Sequence, residues 1–331
     1  MFTSLKTKAF SKKTKWFNLN NLFLICTILL LYFFMNSVNY AYSFEKNDEK
    51  YLIPIGKVIQ IDGELENLIV RNEVKGCPLK SGDLILEAQE IPIKDFCQLS
   101  DVFFSSSDEN FKIKIKRGNQ IKNVICNREA LKKINFNNAI SGFATLTYIN
   151  PENNEFGAVG HSINIGNTKQ IPIKYGSIST TTNLDIEKSS RGSVGCINAN
   201  KNYIIGNFNK NTEYGIKGFT KNIDFSYEDK YKVADLDEVK LGKAQIILQN
   251  TQNKCIKYDI EILKIENQYS PAPKTFKIKI TDKNLLKETG GIVQGMSGTP
   301  IVQNGKIIGA ISHALENNPE VGYGVYIKWM L

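Results

Sequence analysis

The sequence predicts a mainly β protein. It has two folded parts, an α+β domain and then an all-β domain, preceded by one membrane-spanning apolar segment. Three observations carry this. After Asn138 the chain is a succession of short apolar strands broken by Gly and Asn turns, with no long amphipathic helix. Between Ile53 and Arg128 similar strands flank a single stretch with helical spacing of its apolar residues. Residues 16–44 carry no charged side chain. With 331 residues, 42% hydrophobic and 23% charged, the composition is that of a globular protein with room for about two domains and a terminal segment.

The amino end comes first. Lys6, Lys8, Lys12, Lys13 and Lys15 place five of the net +9 charges in residues 1–15, a basic tail. The remaining Lys and acidic residues alternate without a basic stripe or interleaved aromatics, which excludes a nucleic-acid binder. Residues 16–42 form the anchor, with Leu22–Met35 almost wholly apolar. The excess of basic residues on the amino side orients the tail inside and the rest of the chain outside the cytoplasm. Ala41 and Ser43 also offer a small-x-small cleavage site, but a retained anchor is the preferred reading. Residues 43–52 are a polar tether. Of six cysteines, Cys26 lies in the anchor and no pair has CxxC spacing, so a zinc site is not supported. The others read mostly as buried free thiols.

Residues 53–130 form the first domain. Ile55–Ile61 alternates apolar and polar residues, and Leu68–Val70 is a second short strand. Cys77–Leu86 contains Ser81-Gly-Asp-Leu-Ile85, and Glu90–Ile93 follows it. Asp95 caps a helix to Phe104 with Phe96, Leu99, Val102 and Phe103 on its apolar side. Phe111–Gly118 and Ile121–Cys126 close the domain as a hairpin. This arrangement resembles a PDZ domain, through Gly82-Asp83-Leu-Ile-Leu86 and Ile113–Gly118. The resemblance implies recognition of an extended peptide on a sheet edge, with the binding positions at Ile55, Gly56 and Lys57.

Residues 131–331 form the second domain. Gly142–Ile149 runs into a turn at Asn150–Asn154, and Phe156-Gly-Ala-Val-Gly-His161 follows. His161 is one of only two histidines. Strands continue through Gln170–Ile178, Lys201–Phe208 and Gly215–Phe219; a charged link, Asp224–Asp237, leads to Leu241–Leu248, Cys255–Ile265 and Thr275–Thr281. Short strands with Gly and Asn turns suit a sandwich or barrel. Asp282 ends an alternating strand and either orients a histidine or caps a helix over Asn284–Glu288. Asp185, Asp224, Asp235, Asp237 and Asp259 remain alternatives for the orienting acid.

The stretch Gly290–Ser312 carries the chemistry. Gly290, Gly291, Gly295 and Gly298 surround Ser297, and Pro300 opens two apolar strands joined by Asn304-Gly305, the pair that suits a type I′ turn. Glycines let the backbone fold sharply enough for the N–H groups of Gly295 and Ser297 to converge on one oxyanion. Gly-x-Ser-Gly-x-Pro before two strands resembles the nucleophile segment of chymotrypsin-like serine proteases. Beside such a serine, the scarce His161 is the leading general base. His313, directly after the hairpin strand, is its rival and otherwise lines the site.

Phe156–Ile163, the run Lys277–Ser312 and the terminal Gly322–Met330 together resemble the SpoIVB-type serine peptidases of endospore-forming bacteria. The resemblance covers essentially the whole chain. It implies an anchor, a PDZ-like domain and a chymotrypsin-like double β-barrel peptidase, with His161 as base, Asp282 as orienting acid and Ser297 as nucleophile. It further implies self-cleavage and then cleavage of a membrane-bound sporulation regulator of sigma-factor processing, from the space between the forespore membranes. No metal or organic cofactor is needed. The alternative is an inactive PDZ-bearing scaffold that binds a membrane partner.

Overall fold

The computed structural model describes residues 27, 28, 30, 50–221, 229–266 and 270–331. Residues 1–50 and 51–331 form separate units. In the first, residues 27, 28 and 30 are helical. The expected anchor, residues 16–42, otherwise lies outside the described residues. Among the described residues no helix is long and apolar enough to cross a membrane.

The second unit is built from strands β1 (Tyr51–Pro54), β2 (Val58–Val70), β3 (Leu84–Ala88), β4 (Ile91–Pro92), β5 (Asn110–Arg117), β6 (Gln120–Asn127), β7 (Phe136–Ile149), β8 (Glu155–Ala158) and β9 (Ile173–Ile186). It continues with β10 (Ile197–Thr212), β11 (Gly215–Thr220), β12 (Tyr231–Val233), β13 (Gly242–Gln249) and β14 (Cys255–Ile265). The last four are β15 (Phe276–Ile280), β16 (Pro300–Gln303), β17 (Lys306–Ala314) and β18 (Val321–Tyr326).

The ladders close on themselves twice. In the first ring β7 pairs with β2, β2 with β9, β9 with β10, β10 with β11, β11 with β8, and β8 with β7 again, all antiparallel. In the second, β17 pairs with β16, β16 with β13, β13 with β14, β14 with β15, β15 with β18, and β18 with β17. Closure leaves no open edge within either ring. Period-2 alternation fills each interior. Ile59, Ile61, Leu146, Phe156 and Ile178 pack in the first, and Ile246, Ile260, Ile278, Ile301 and Ile311 in the second. In Phe276–Ile280 the Phe and Ile residues are buried and the two lysines half-buried, as the alternation predicts. Each fully buried side chain of this kind contributes about 1.5–3 kcal/mol.

β1 joins the rings. Tyr51 and Leu52 pair with Lys232 and Tyr231 of β12, which runs parallel to β17. Ile53 and Pro54 pair with Ile149 and Tyr148 of β7.

This corrects the boundary expected at residue 53. β2 lies between β7 and β9, with Ile59 opposite both Ala144 and Thr180. The residues assigned to peptide binding belong to the same framework. Ile55 N–H donates to Thr147 O (3.0 Å), Gly56 N–H to Leu146 O (2.9 Å), and Lys57 O accepts from Leu146 N–H (2.9 Å). A Cβ at Gly56, where φ is +73°, would lie 2.3 Å from Ile247 O. Ile55, Gly56 and Lys57 therefore have no free edge for an added strand. Alternation predicts a strand here, but it does not name the strand's partners.

The α+β element is an insert between the outer end of β2 and the start of β7. β5 pairs with β3 and β6, and β4 extends β3. Helix Phe96–Ser105 starts at Asp95, whose carboxylate accepts from Gln98 N–H at 2.9 Å. Leu99 and Val102 are buried in the insert's own core, whereas Phe96, in the first turn, remains 58% exposed. Cys77 and Cys126 form a disulfide across 49 residues, while Cys97 and Cys255 are exposed thiols and Cys196 is half-buried. This corrects the expectation of mostly buried free cysteines. Closing a loop of that length stabilises by about 4 kcal/mol in the chain-entropy account.

Candidate active site

A capped helix leads into the serine turn. Helix Lys283–Thr289 begins at Asp282, whose Oδ1 accepts from the N–H groups of Asn284 (2.9 Å) and Leu285 (3.0 Å). It ends at Gly290, φ +67°. Gly295 and Gly298 have φ values of +101° and +93°, so the chain reverses on either side of Ser297. A Cβ at Gly298 would lie 2.3 Å from Thr145 O and 2.4 Å from Val159 N. Only glycine permits that approach between the two rings.

Strand β7 holds this turn by its carbonyls. Thr145 N–H donates to Ser297 O (2.9 Å), Thr145 Oγ1 to Gly295 O (2.8 Å) and Thr147 Oγ1 to Gly298 O (2.6 Å). Both threonines are fully buried. Met296 N–H donates to Val293 O and Gly298 N–H to Ile311 O. The N–H groups of Gly295 and Ser297 have no partner among the described residues. Sequence reasoning missed Thr145 and Thr147. Their signal was a Thr-x-Thr on one face of the otherwise apolar run 143–149, polar groups that a buried face tolerates only with partners.

His161 arrives from the first ring. At the end of β8, Val159 (φ +77°) and Gly160 (φ +74°) are both left-handed. For a buried β-branched residue this conformation costs on the order of 1–3 kcal/mol. The bend brings His161 Nε2 to 3.1 Å from Ser297 Oγ. Its Nδ1 lies 2.8 Å from Ser162 O. A carbonyl only accepts, so Nδ1 carries the proton and Nε2 is left to accept from the serine hydroxyl. Burial pulls the His161 pKa below the ordinary histidine value, against the opposing effect of the Ser162 carbonyl.

Ser297, Gly295 and His161 line one cleft of about 350 Å³, walled by Ile61, Ile140 and Phe143. His313 stands beside His161, with ring centroids 5.3 Å apart and the rings tilted by 41°. Its Nδ1 lies 3.0 Å from Ser312 Oγ. Burial, with His161 and Lys274 nearby, pushes its pKa down to about 4.

Asp282 is not beside the histidine. Its carboxylate is bound to the start of its own helix, and no carboxylate hydrogen-bonds His161 among the described residues. The capping reading replaces the orienting-acid reading, because Oδ1 satisfies two helix N–H groups that lack intrahelical partners. None of the alternatives takes its place. Asp259 accepts from Gln245, Asp235 from Lys328, and Asp185 lies opposite Asn198 on the β9–β10 ladder. Asp237 is exposed, and Asp224 lies outside the described residues.

The histidine pair gives a signed stability prediction. Both folded-state pKa values lie below the ordinary value of 6.5, so the unfolded chain binds protons that the folded chain refuses. Their contribution is complete above pH 6.5 and declines as pH falls towards about 4. Denaturant midpoints measured at stepped pH should drop across that window. His313→Asn should flatten the drop; an unchanged slope would refute the assignment.

The family model for SpoIVB peptidase S55 matches residues 133–331. No curated protein matches the chain. Among solved structures, the inactive form of the Rv3671c protease is 12% identical with a TM-score of 0.32, covering 57% of this chain and 80% of that one. A serine-to-alanine mutant of Rv3671c from M. tuberculosis H37Rv, also an inactive form, is 12% identical with a TM-score of 0.30 over 56% and 77%.

Proposed function

Because the chain belongs to the SpoIVB peptidase S55 family and is a serine endopeptidase, we propose that Ser297 is its nucleophile and His161 its general base. The observation that carries this is the 3.1 Å approach of His161 Nε2 to Ser297 Oγ in the cleft. Ser297 Oγ attacks the peptide carbonyl as Nε2 takes its proton. The N–H groups of Gly295 and Ser297 stabilise the tetrahedral oxyanion. The imidazolium, held at Nδ1 by Ser162 O, then returns the proton to the leaving amine. Water repeats the sequence on the acyl-enzyme and frees the product acid. Ser162 O thus takes the orienting position that a carboxylate holds in a Ser-His-Asp triad.

In this reading the two closed rings are the barrels of a chymotrypsin-like peptidase, and the insert is a PDZ-like module. The uncharged residues 16–44, preceded by a basic tail, support a single membrane anchor with the peptidase exported. Likeness to the SpoIVB-type peptidases supports a sporulation role. The enzyme would cleave itself and then a membrane-bound regulator of sigma-factor processing, from the space between the forespore membranes. One observation favours the rival reading of an inactive scaffold, namely that no carboxylate hydrogen-bonds His161 among the described residues.

The test is intact mass over time for the full-length chain in detergent and for Ser297→Ala, each alone and with an unstructured protein substrate. Fragments from the parent alone are expected, and their masses locate any self-cleavage. A folded parent as inert as the variant would move the scaffold reading ahead.

A further inference from the structure

We infer that the insert between β2 and β7 positions the base, and that Thr168 is the positioning residue through which it acts. This rests on the reading of His161 as general base. Residues 162–171 leave His161 and return to β9 as a short hairpin. Ile165 and Thr168 exchange backbone hydrogen bonds at its tip, and Ile171 N–H donates to Ile163 O at its foot. The foot holds the catalytic end, since Ser162 O is the group on His161 Nδ1. Asn211 fixes the same end, with Oδ1 accepting from Ile163 N–H and Nδ2 donating to Ile163 O and Ile171 O.

The tip touches the insert. Thr168 Oγ1, on a residue only 4% exposed, donates to Gly82 O, and Asn167 N–H donates to Ser81 O at 3.4 Å. At the two glycines the backbones meet closely enough to exclude a Cβ. A Cβ at Gly82 (φ +92°) would lie 2.4 Å from Ile165 O, and one at Gly166 would lie 2.4 Å from Ser81 O. The insert's side of the contact is rigid. The Asp83 carboxylate, 1% exposed, takes both Arg117 Nε (2.7 Å) and Nη2 (2.6 Å) and accepts Lys80 N–H (2.8 Å). Arg117 also donates to Pro78 O, one residue after the disulfide at Cys77. A bidentate pair on a buried carboxylate fixes geometry as well as adding energy.

A stiff turn on the insert therefore grips one end of a hairpin whose other end sets the tautomer and direction of the catalytic imidazole. Misplacing a catalytic group by about 1 Å costs on the order of a hundredfold in rate. Releasing the tip should slow chemistry while leaving substrate binding nearly unchanged.

The test uses the full-length chain in detergent and a fluorophosphonate probe, whose rate of reaction with the serine depends on the base. Thr168→Val should label at least about tenfold more slowly than the parent when both are assayed well below their thermal midpoints. The pH at which its rate is half-maximal should rise, because a loosened His161 meets water and regains its ordinary pKa. Thr168→Ser keeps the hydroxyl and should restore most of the rate. Gly82→Ala should slow labelling in the same way. Thr168→Val labelling like the parent would overturn the inference, as would Thr168→Ser being equally slow. A parent that does not label, or Ser297→Ala labelling as fast, would overturn the nucleophile reading and this inference with it.

Discussion

His161→Ala should lower kcat/KM by about four orders of magnitude or more, whereas Asp282→Asn should stay within a few-fold of the parent. The first loss follows from the 3.1 Å contact, because without Nε2 nothing in the cleft takes the Ser297 proton. The second result separates the two roles open to Asp282. In a Ser-His-Asp triad an Asp→Asn change costs about 10⁴ in kcat by fixing the wrong tautomer. At a helix N-cap, Asn and Asp are nearly equivalent, and only Ala costs about 1 kcal/mol. Here the Oδ1 atom accepts two backbone N–H groups of its own helix, a task that an amide oxygen performs equally well. Asp282→Ala should therefore lower the thermal midpoint while retaining chemistry. Fluorophosphonate labelling rates beside thermal melts would decide it, and a collapse of labelling in Asp282→Asn would return the aspartate to the catalytic group.

The second large effect concerns where the peptidase begins. Residues 133–331, the segment matched by the family model, should not fold alone, although residues 51–331 should unfold cooperatively. Removing β2 opens the first ring between β7 and β9 and exposes two long edges. It also removes the buried Ile59, Ile61 and Leu65. Their burial contributes on the order of 5–9 kcal/mol, comparable with the whole net stability of a domain at about 5–15. Circular dichroism and denaturant titration of the two fragments would test this. A soluble 133–331 with a sharp transition would refute the assignment of β2 to the ring.

The parts legible in the sequence were those fixed by local chemistry. Asn304-Gly305 announced its turn, and both residues have positive φ, +50° and +76°. Asp95 announced its helix, and the glycines around Ser297 announced the sharp turn whose Gly295 and Gly298 are left-handed. Non-local partners were not legible. Ile55–Ile61 alternates identically whether its neighbours are adjacent residues or β9, more than a hundred positions away. Asp282 had two locally acceptable roles, and only the hydrogen-bond geometry distinguished them. The positive φ of Val159 carries no sequence signature, since nothing in a valine signals a left-handed backbone.

One consequence of β1 is mechanical. Its four residues divide evenly, two on β12 beside the ring that carries Ser297 and two on β7 of the ring that carries His161. Tension applied through Lys50 first reaches the pairs of Tyr51 and Leu52, then those of Ile53 and Pro54. Each is a short ladder that opens under less force than the long strands behind it. A pull on the amino end is therefore felt first where β1 joins the two rings, before it reaches the closed ladders of either.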